Sequence, residues 1–327
     1  RFAAGVTAPR SRCAAANTLA GLQRNLGNWR ESEKSYRRAL ENLTEVNADA
    51  MYTVSGNLAS LLTEYGDYRG AIELSQLPVR NGQVISDPRR MMQIDLTAMA
   101  ACSFVGDIAA AEFLASRYSA TAQMRGDAGA LTWHALDLGR IYLRCGRLDE
   151  ARDLLESASV YLSDAGNPKL HARATLFLSL LNTWRGNLAI ARELHSKAAA
   201  AFVATSDQIS ILDARQVDFQ VEMEIGGRID VAKASQLVAD YLKIHNPLGA
   251  LFTMSLILLE GDFQSVEIML KGSTEAMNFA RNSGAVIGHV VLQHLKGLKT
   301  AAKSKDAPDL AQMRESLIAY RKAGFLF

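Results

Sequence analysis

Residues 138–158 read LGRIYLRCGRLDEARDLLESA, and this stretch decides the fold. Leu138, Ile141 and Tyr142 recur at helical spacing before Gly146, and Leu148, Ala151, Leu155 and Ala158 recur at helical spacing after it. Two amphipathic helices separated by a glycine predict a hairpin of antiparallel helices. Glycine closes the first helix because that position often needs positive φ, which glycine adopts without a steric penalty. Ala151 then lets the second helix approach the first closely, where a bulkier side chain would hold the two apart.

The same unit returns along the chain. Gly27, Gly66, Gly106, Gly146, Gly186, Gly227 and Gly261 mark it, the first six at intervals of 39, 40, 40, 40 and 41 residues. Two residues after each stands Trp29, Tyr68, Ile108, Leu148, Leu188, Ile229 or Phe263, always large and apolar. Five residues after comes Ala71, Ala111, Ala151, Ala191 or Ala232, with Ser32 and Val266 as the exceptions. Eight residues before stand Leu19, Leu58, Ala98, Leu138, Leu178, Phe219 and Thr253. An array of helical hairpins buries its apolar faces only by stacking, so the pattern points to a binding scaffold rather than a catalyst.

These offsets resemble tetratricopeptide repeats over roughly residues 14 to 275, with Leu138, Gly139, Tyr142, Gly146, Ala151, Leu155 and Ala158 carrying the pattern best. The usual period of that family is about 34 residues, whereas armadillo and HEAT units run about 40 to 47. Side-chain identity within each hairpin favours the tetratricopeptide class, with each helix lengthened by about a turn. The resemblance implies an all-α fold, a right-handed superhelical solenoid of antiparallel helix pairs. It places seven repeats in residues 1–283 and a divergent repeat or capping hairpin in residues 284–327 of the same solenoid.

Capping residues support the boundaries. Asp87-Pro88, Asn167-Pro168 and Asn246-Pro247 each put a side-chain oxygen at an N-cap and proline at the first helical position, where the missing N–H costs nothing. Pro78 falls where a second helix should still be running and is expected to end it early, leaving Val79 to Ser86, with its Asn81-Gly82 turn, as a connector. In the tail, Gly284 to Thr300 is expected to form a helix, residues 303–308 a loop and Asp309 to Lys322 a last amphipathic helix.

Composition narrows the function. The chain has 327 residues and a formal net charge of +2, so nothing in the total charge favours nucleic acid or a membrane surface. No apolar run approaches the ~20 residues needed to cross a bilayer. Cys13, Cys102 and Cys145 are odd in number and lack metal-ligand spacing, which fits the cytoplasm or another reducing compartment. The first thirty residues hold five arginines and no acid, as in organelle import leaders, yet Ala14 to Gln23 already fits a repeat helix. The chain reads as an excised piece of a longer protein.

No phosphate loop, nucleophile elbow, zinc helix or calcium loop is present in the sequence. His289 and His294 are five apart, about 140° around a helix, and do not share a face. No catalytic, cofactor or metal site is expected, and the chain is not read as an enzyme.

The resemblance implies that the first helix of each pair lines a concave groove. Carried onto this sequence, the groove positions are Asn17, Arg24 and Asn25, then Gln93 and Ser103, then Trp133, Arg140 and Arg144, then Arg173 and Trp184. Basic and aromatic groups in mid-groove suit an acidic or amphipathic peptide. The arginines could equally pair with acids of neighbouring helices. Further along, Val217, Val221, Ile225, Leu248, Leu251, Leu258 and Leu259 make the same surface apolar, either as a trough for a partner helix or because later helices pack over it. Chaperone-tail clamps place lysine and asparagine four apart on a first helix, and none of the matching pairs here, such as Asn17 and Gly21 or Leu136 and Arg140, fits. The leading expectation is a non-catalytic scaffold or adaptor for a protein segment. The alternative is the effector-sensing domain of a larger signalling ATPase or transcription regulator, with partners in the same longer chain.

Overall fold

The computed structural model describes residues 9–26, 28–43, 48–80, 87–226, 228–259 and 262–303. The chain divides into two compact units, Arg1–Asp127 and Ala128–Phe327. In the first lie α1 (Pro9–Asn25), α2 (Trp29–Glu41), α3 (Ala48–Tyr65), α4 (Tyr68–Arg80), α5 (Pro88–Val105) and α6 (Ile108–Met124). The second holds α7 (Ala128–Arg144), α8 (Leu148–Asp164), α9 (Pro168–Trp184), α10 (Leu188–Ala204), α11 (Gln208–Glu224) and α12 (Val231–Lys243), followed by α13 (Pro247–Leu259), α14 (Phe263–Gly272), α15 (Thr274–Asn282) and α16 (Val286–Lys303). No strand occurs among the described residues.

Why the period is 40 rather than 34 is visible in the turns. From α6 to α11 every helix has 17 residues and successive helices within that run are joined by three residues, so a hairpin takes 40. Each joint has the same chemistry. Gly146 at φ 72° donates its N–H to the Leu143 carbonyl at 3.0 Å, and Arg147 donates to Tyr142 at 2.9 Å, the paired bonds that close a helix on a left-handed residue. Gly106, Gly126, Gly166 and Gly186 have the same positive φ. The glycine beat is therefore a beat of about 20, one per helix, and the second helix of each pair hides its members at Gly126, Gly166 and Ser206. The residue after the left-handed position is usually Asp or Asn. Its N–H completes the old helix while its side chain caps the new one: Asn167 N–H donates to Leu162, and Asn167 Oδ1 accepts from Leu170 N–H at 3.2 Å.

Close packing follows the small residues. Ala71, Ala111, Ala151 and Ala191 are fully buried. Ser32, at the equivalent place, is buried and donates its hydroxyl to the Ala20 carbonyl at 2.7 Å. A Cβ on Gly139 would lie 2.9 Å from Leu155 Cγ, which shows how near α7 and α8 approach. Ala232 departs from the expected pattern: it is exposed, and Ala234 is buried in its stead. The cause is the longer joint between α11 and α12, residues 225–230, which moves the start of α12 by three positions. There the left-handed residue is Gly226, while Gly227 lies outside the described residues.

Pro78 also departs from expectation. It does not stop α4 where it stands, since the helix continues to Arg80. A proline near a helix C-terminus removes one N–H but leaves the last carbonyls free to end the helix shortly after. The helix has 13 residues rather than 17. Residues 81–86, including the Asn81-Gly82 turn, lie outside the described residues, as do 304–327.

In the first unit, Asp95 on α5 is fully buried and accepts from Arg117 Nε on α6 at 2.9 Å. Burial pushes its carboxyl above the ordinary range although Arg117 pulls it down. Leu19 on α1 is exposed, whereas its repeat equivalents Leu58 and Leu138 are buried, because the latter are covered by neighbouring helices.

In the second unit the odd-numbered helices form one continuous row, α7 on α9, α9 on α11 and α11 on α13, and each also packs on its even-numbered partner. The row ends at α13, which meets α12, α14, α15 and α16. Val217, Val221, Leu251 and Leu258 are buried there, so most of the apolar stretch is core covered by later helices. Gly249 permits this: a Cβ would sit 2.4 Å from the Tyr241 ring. α16 packs on α13, α14 and α15, so residues 284–303 are held within the second unit.

Two predictions follow from turns and burial. Ser206 and His245 occupy the left-handed position at φ 54°, where a non-glycine residue costs about 1 kcal/mol, offset in part by glycine's looser unfolded chain. Ser206→Gly should raise the urea midpoint, and Gly186→Ala should lower it, with a loss of about 1 kcal/mol in unfolding free energy. An unchanged midpoint for both would mean the turns carry no strain. Separately, burial holds His294 below the ordinary histidine range. Below about pH 6.5 the unfolded chain takes up a proton that the folded chain resists. Stability should therefore fall as pH drops from 6.5 toward the folded value, and His294→Gln should flatten that slope in urea titrations at several pH values.

Candidate functional site

The groove positions fall in both units. In the first, Asn17 is half-buried and accepts from Asn57 Nδ2 at 3.1 Å. Arg24 donates from Nε to Glu64 Oε2 at 2.9 Å and from Nη2 to Ser60 Oγ at 3.0 Å, with Nη2 also paired to Glu64 Oε1. This guanidinium ties α1 to α3. Gln93 is exposed on α5, and Ser103 donates to the Ala100 carbonyl of its own helix. The Asn25 side chain lies outside what is described.

The second unit gathers more chemistry. Trp133, Asp137, Arg140 and Arg144 follow helical spacing on α7 and share a face. Trp133 is 41% exposed. Arg140 pairs with Asp137 at 3.2 Å, and the Arg144 guanidinium lies 5.3 Å from the centre of the Phe252 ring on α13, within cation–π range. On α9, Arg173 Nε donates to Ser210 Oγ on α11 at 3.3 Å. Trp184 is half-buried against the hydrophobic cluster of α7, α8 and α9.

Asp213 on α11, absent from the sequence-derived set, lies within electrostatic reach of these arginines. Its carboxyl lies in the field of Arg173, Arg140 and Arg144 and accepts from the Tyr241 hydroxyl at 2.8 Å. Burial pushes it above the ordinary range, while Tyr241 and the three arginines pull it down. Tyr241 is itself fully buried, and burial beside Asp213 pushes its phenol far up, so it acts only as a neutral donor. The signal for Asp213 was in the register. Trp133, Arg173 and Asp213 stand 40 apart, at equivalent places on three successive first helices. What the register could not supply is Phe252 against Arg144, which depends on α13 closing toward α7.

Among the described residues, no cluster of three or more histidine, cysteine, aspartate or glutamate side chains could hold a metal. None of the described helices is long and apolar enough to cross a membrane. Cys13 and Cys102 are buried and Cys145 half-buried, all as free thiols.

Comparison with known proteins agrees with this architecture. Residues 135–166 match a tetratricopeptide repeat model, the segment that contains Gly139, Gly146 and Ala151. No curated protein sequence matches. A Rap protein solved in complex with competence and sporulation factor is similar in structure, with a TM-score of 0.66 and 12% identity over 82% of this chain and 74% of that one. The protein is a tetratricopeptide-like repeat protein, an all-α helical solenoid.

The two tryptophans separate by environment. Trp184→Ala should cost about 3 kcal/mol or more in chemical unfolding, as a packed aromatic lost from a core does, whereas Trp133→Ala should cost under about 1 kcal/mol. The reverse order would place Trp133 in the core.

Proposed function

We propose that the chain is a non-catalytic interaction scaffold that binds an acidic segment of a partner protein along the first helices of its second unit. The observation that carries this reading is the run of Arg140 and Arg144 on one face of α7 with an exposed Trp133, next to Arg173 on the adjacent first helix α9. Guanidiniums are suited to carboxylates because their planar donors match two oxygens at once. An exposed aromatic beside them adds contact area at low entropic cost. In the first unit Arg24 and Asn17 bridge α1 and α3, so their part in binding is secondary.

The fold favours a scaffold over an enzyme, since repeat arrays of this kind are typically non-catalytic. The similar Rap structure is a complex with competence and sporulation factor, which is consistent with a solenoid that takes a separate binding factor. The same face would serve an effector-sensing domain of a larger regulator equally well, and a partner in another domain of the same chain would use the same chemistry.

Affinity capture with the intact chain and with the Arg140→Ala/Arg173→Ala variant tests the reading. Partners bound by the intact chain should be lost from the variant at matched folding, judged by helical circular dichroism. Equal capture by both would exclude this face.

A further inference from the structure

The second helices α8 and α10 both pack on α9, and the three helices enclose a cleft of about 350 Å³. That is the lower end of the ~300–1,000 Å³ range of small-molecule sites. Its walls are mostly apolar: Leu178 comes from α9, and Leu194, Ala198 and Ala201 come from α10. Ile190, exposed and one turn before Leu194, extends the α10 wall outward. The opening has a cause in the sequence. At the place of Ala201 the two preceding second helices carry Thr121 and Tyr161, and alanine leaves that volume unfilled. Three polar groups interrupt the apolar lining. Ser159 on α8 and His171 on α9 are half-buried there, and neither the Ser159 hydroxyl nor the His171 imidazole has a hydrogen-bond partner among the described residues. Lys197 is the third, and it reaches Glu193 at 2.6 Å with both side chains 64% exposed. Such a pair contributes little and yields readily to another carboxylate. His171 and Arg173 stand about 200° apart around α9, so the cleft and the arginine face lie on opposite sides of that helix.

We propose that this cleft binds a small aliphatic carboxylate, its hydrocarbon chain against Leu178, Leu194 and Ala201 and its carboxylate held by Lys197, His171 and Ser159. The lining sets the ligand class. It offers a cation and two polar groups without protein partners, and no acidic side chain is among the lining residues. Partly desolvated polar groups gain most from a ligand that returns a hydrogen bond, and most of all from a charged acceptor. A neutral hydrocarbon would leave Ser159 and His171 without a partner. A small polyanion such as phosphate would leave the apolar walls unused. Because α8 belongs to one hairpin and α9 and α10 to the next, an occupant bridges two successive repeats. The site is independent of the peptide-binding reading, since it uses none of the same side chains.

Isothermal titration calorimetry of the intact chain with sodium octanoate, octan-1-ol and sodium acetate tests the assignment. Octanoate should bind saturably at one site, at least roughly tenfold more tightly than octan-1-ol, which lacks the charge, or acetate, which lacks the chain. Ala201→Phe puts a ring into the cleft and should abolish octanoate binding. His171→Gln/Lys197→Gln keeps the apolar walls and should weaken octanoate roughly tenfold while leaving octan-1-ol unchanged. Helical circular dichroism checks that each variant is folded. Lys197 is exposed, so Lys197→Gln alone, with a several-fold loss confined to octanoate, carries the test where another variant fails to fold. No saturable octanoate binding, equal affinity for octanoate and octan-1-ol, undiminished binding by folded Ala201→Phe, or unchanged octanoate affinity in Lys197→Gln would each overturn the proposal.

Discussion

A left-handed residue at the end of each helix from α5 to α12 is the constraint on which the rest of this structure depends. It turns the chain in a few residues, returns orphan carbonyls of the old helix to hydrogen bonds, and in most joints delivers an Asp or Asn to the cap of the next. With helix length held at 17 residues from α6 to α11, such joints place equivalent side chains 40 apart in sequence and beside one another in space. Where the joint lengthens, between α11 and α12, the register of the following helix moves and the buried small residue moves with it, from Ala232 to Ala234. Turn chemistry therefore sets which side chains are core and which are face.

Much of this was legible because glycine and alanine report backbone conformation and close approach directly. Gly106, Gly146 and Gly186 have positive φ because the turn requires it, and Ala71, Ala111, Ala151 and Ala191 are buried because the hairpins close on them. The half-period was missed for a physical reason. At Ser206 and His245 the left-handed place is held by residues that tolerate it at some cost, and the sequence pattern of the second helices is weaker as a result. The shortened helix at Pro78 was read as a break because proline's missing N–H was weighed without its position: near the C-terminus the loss affects one bond, not a run of them.

The site was less legible than the fold. Residue types suggested Arg140, Arg144 and Arg173, and the contacts of these arginines run to different partners, Asp137, the Phe252 ring and Ser210. Trp184 was assigned to the groove on spacing alone, and it is half-buried against the hydrophobic cluster of α7, α8 and α9. Position along a helix tells which face a residue takes only while the helix has one free face. In α9, which touches α7, α8, α10 and α11, nearly every direction is occupied. The apolar stretch from Val217 to Leu259 shows the same effect more strongly, since α13 packs on α11, α12, α14, α15 and α16.

Charge placement explains why the second unit can keep three arginines on one face. Each repeat projects its equivalent position into the same column, so like residues there would repel along the row. The column here runs Trp133, Arg173, Asp213, an aromatic, a cation and an anion in turn, so neighbouring repeats attract rather than oppose one another. Arg140 and Arg144 are then drawn from α7 toward the same anion, and Phe252 gives Arg144 a second, uncharged surface. A repeat array stabilises itself through interactions between neighbours, and a column of unlike side chains lets adjacent first helices stack without like charges in register.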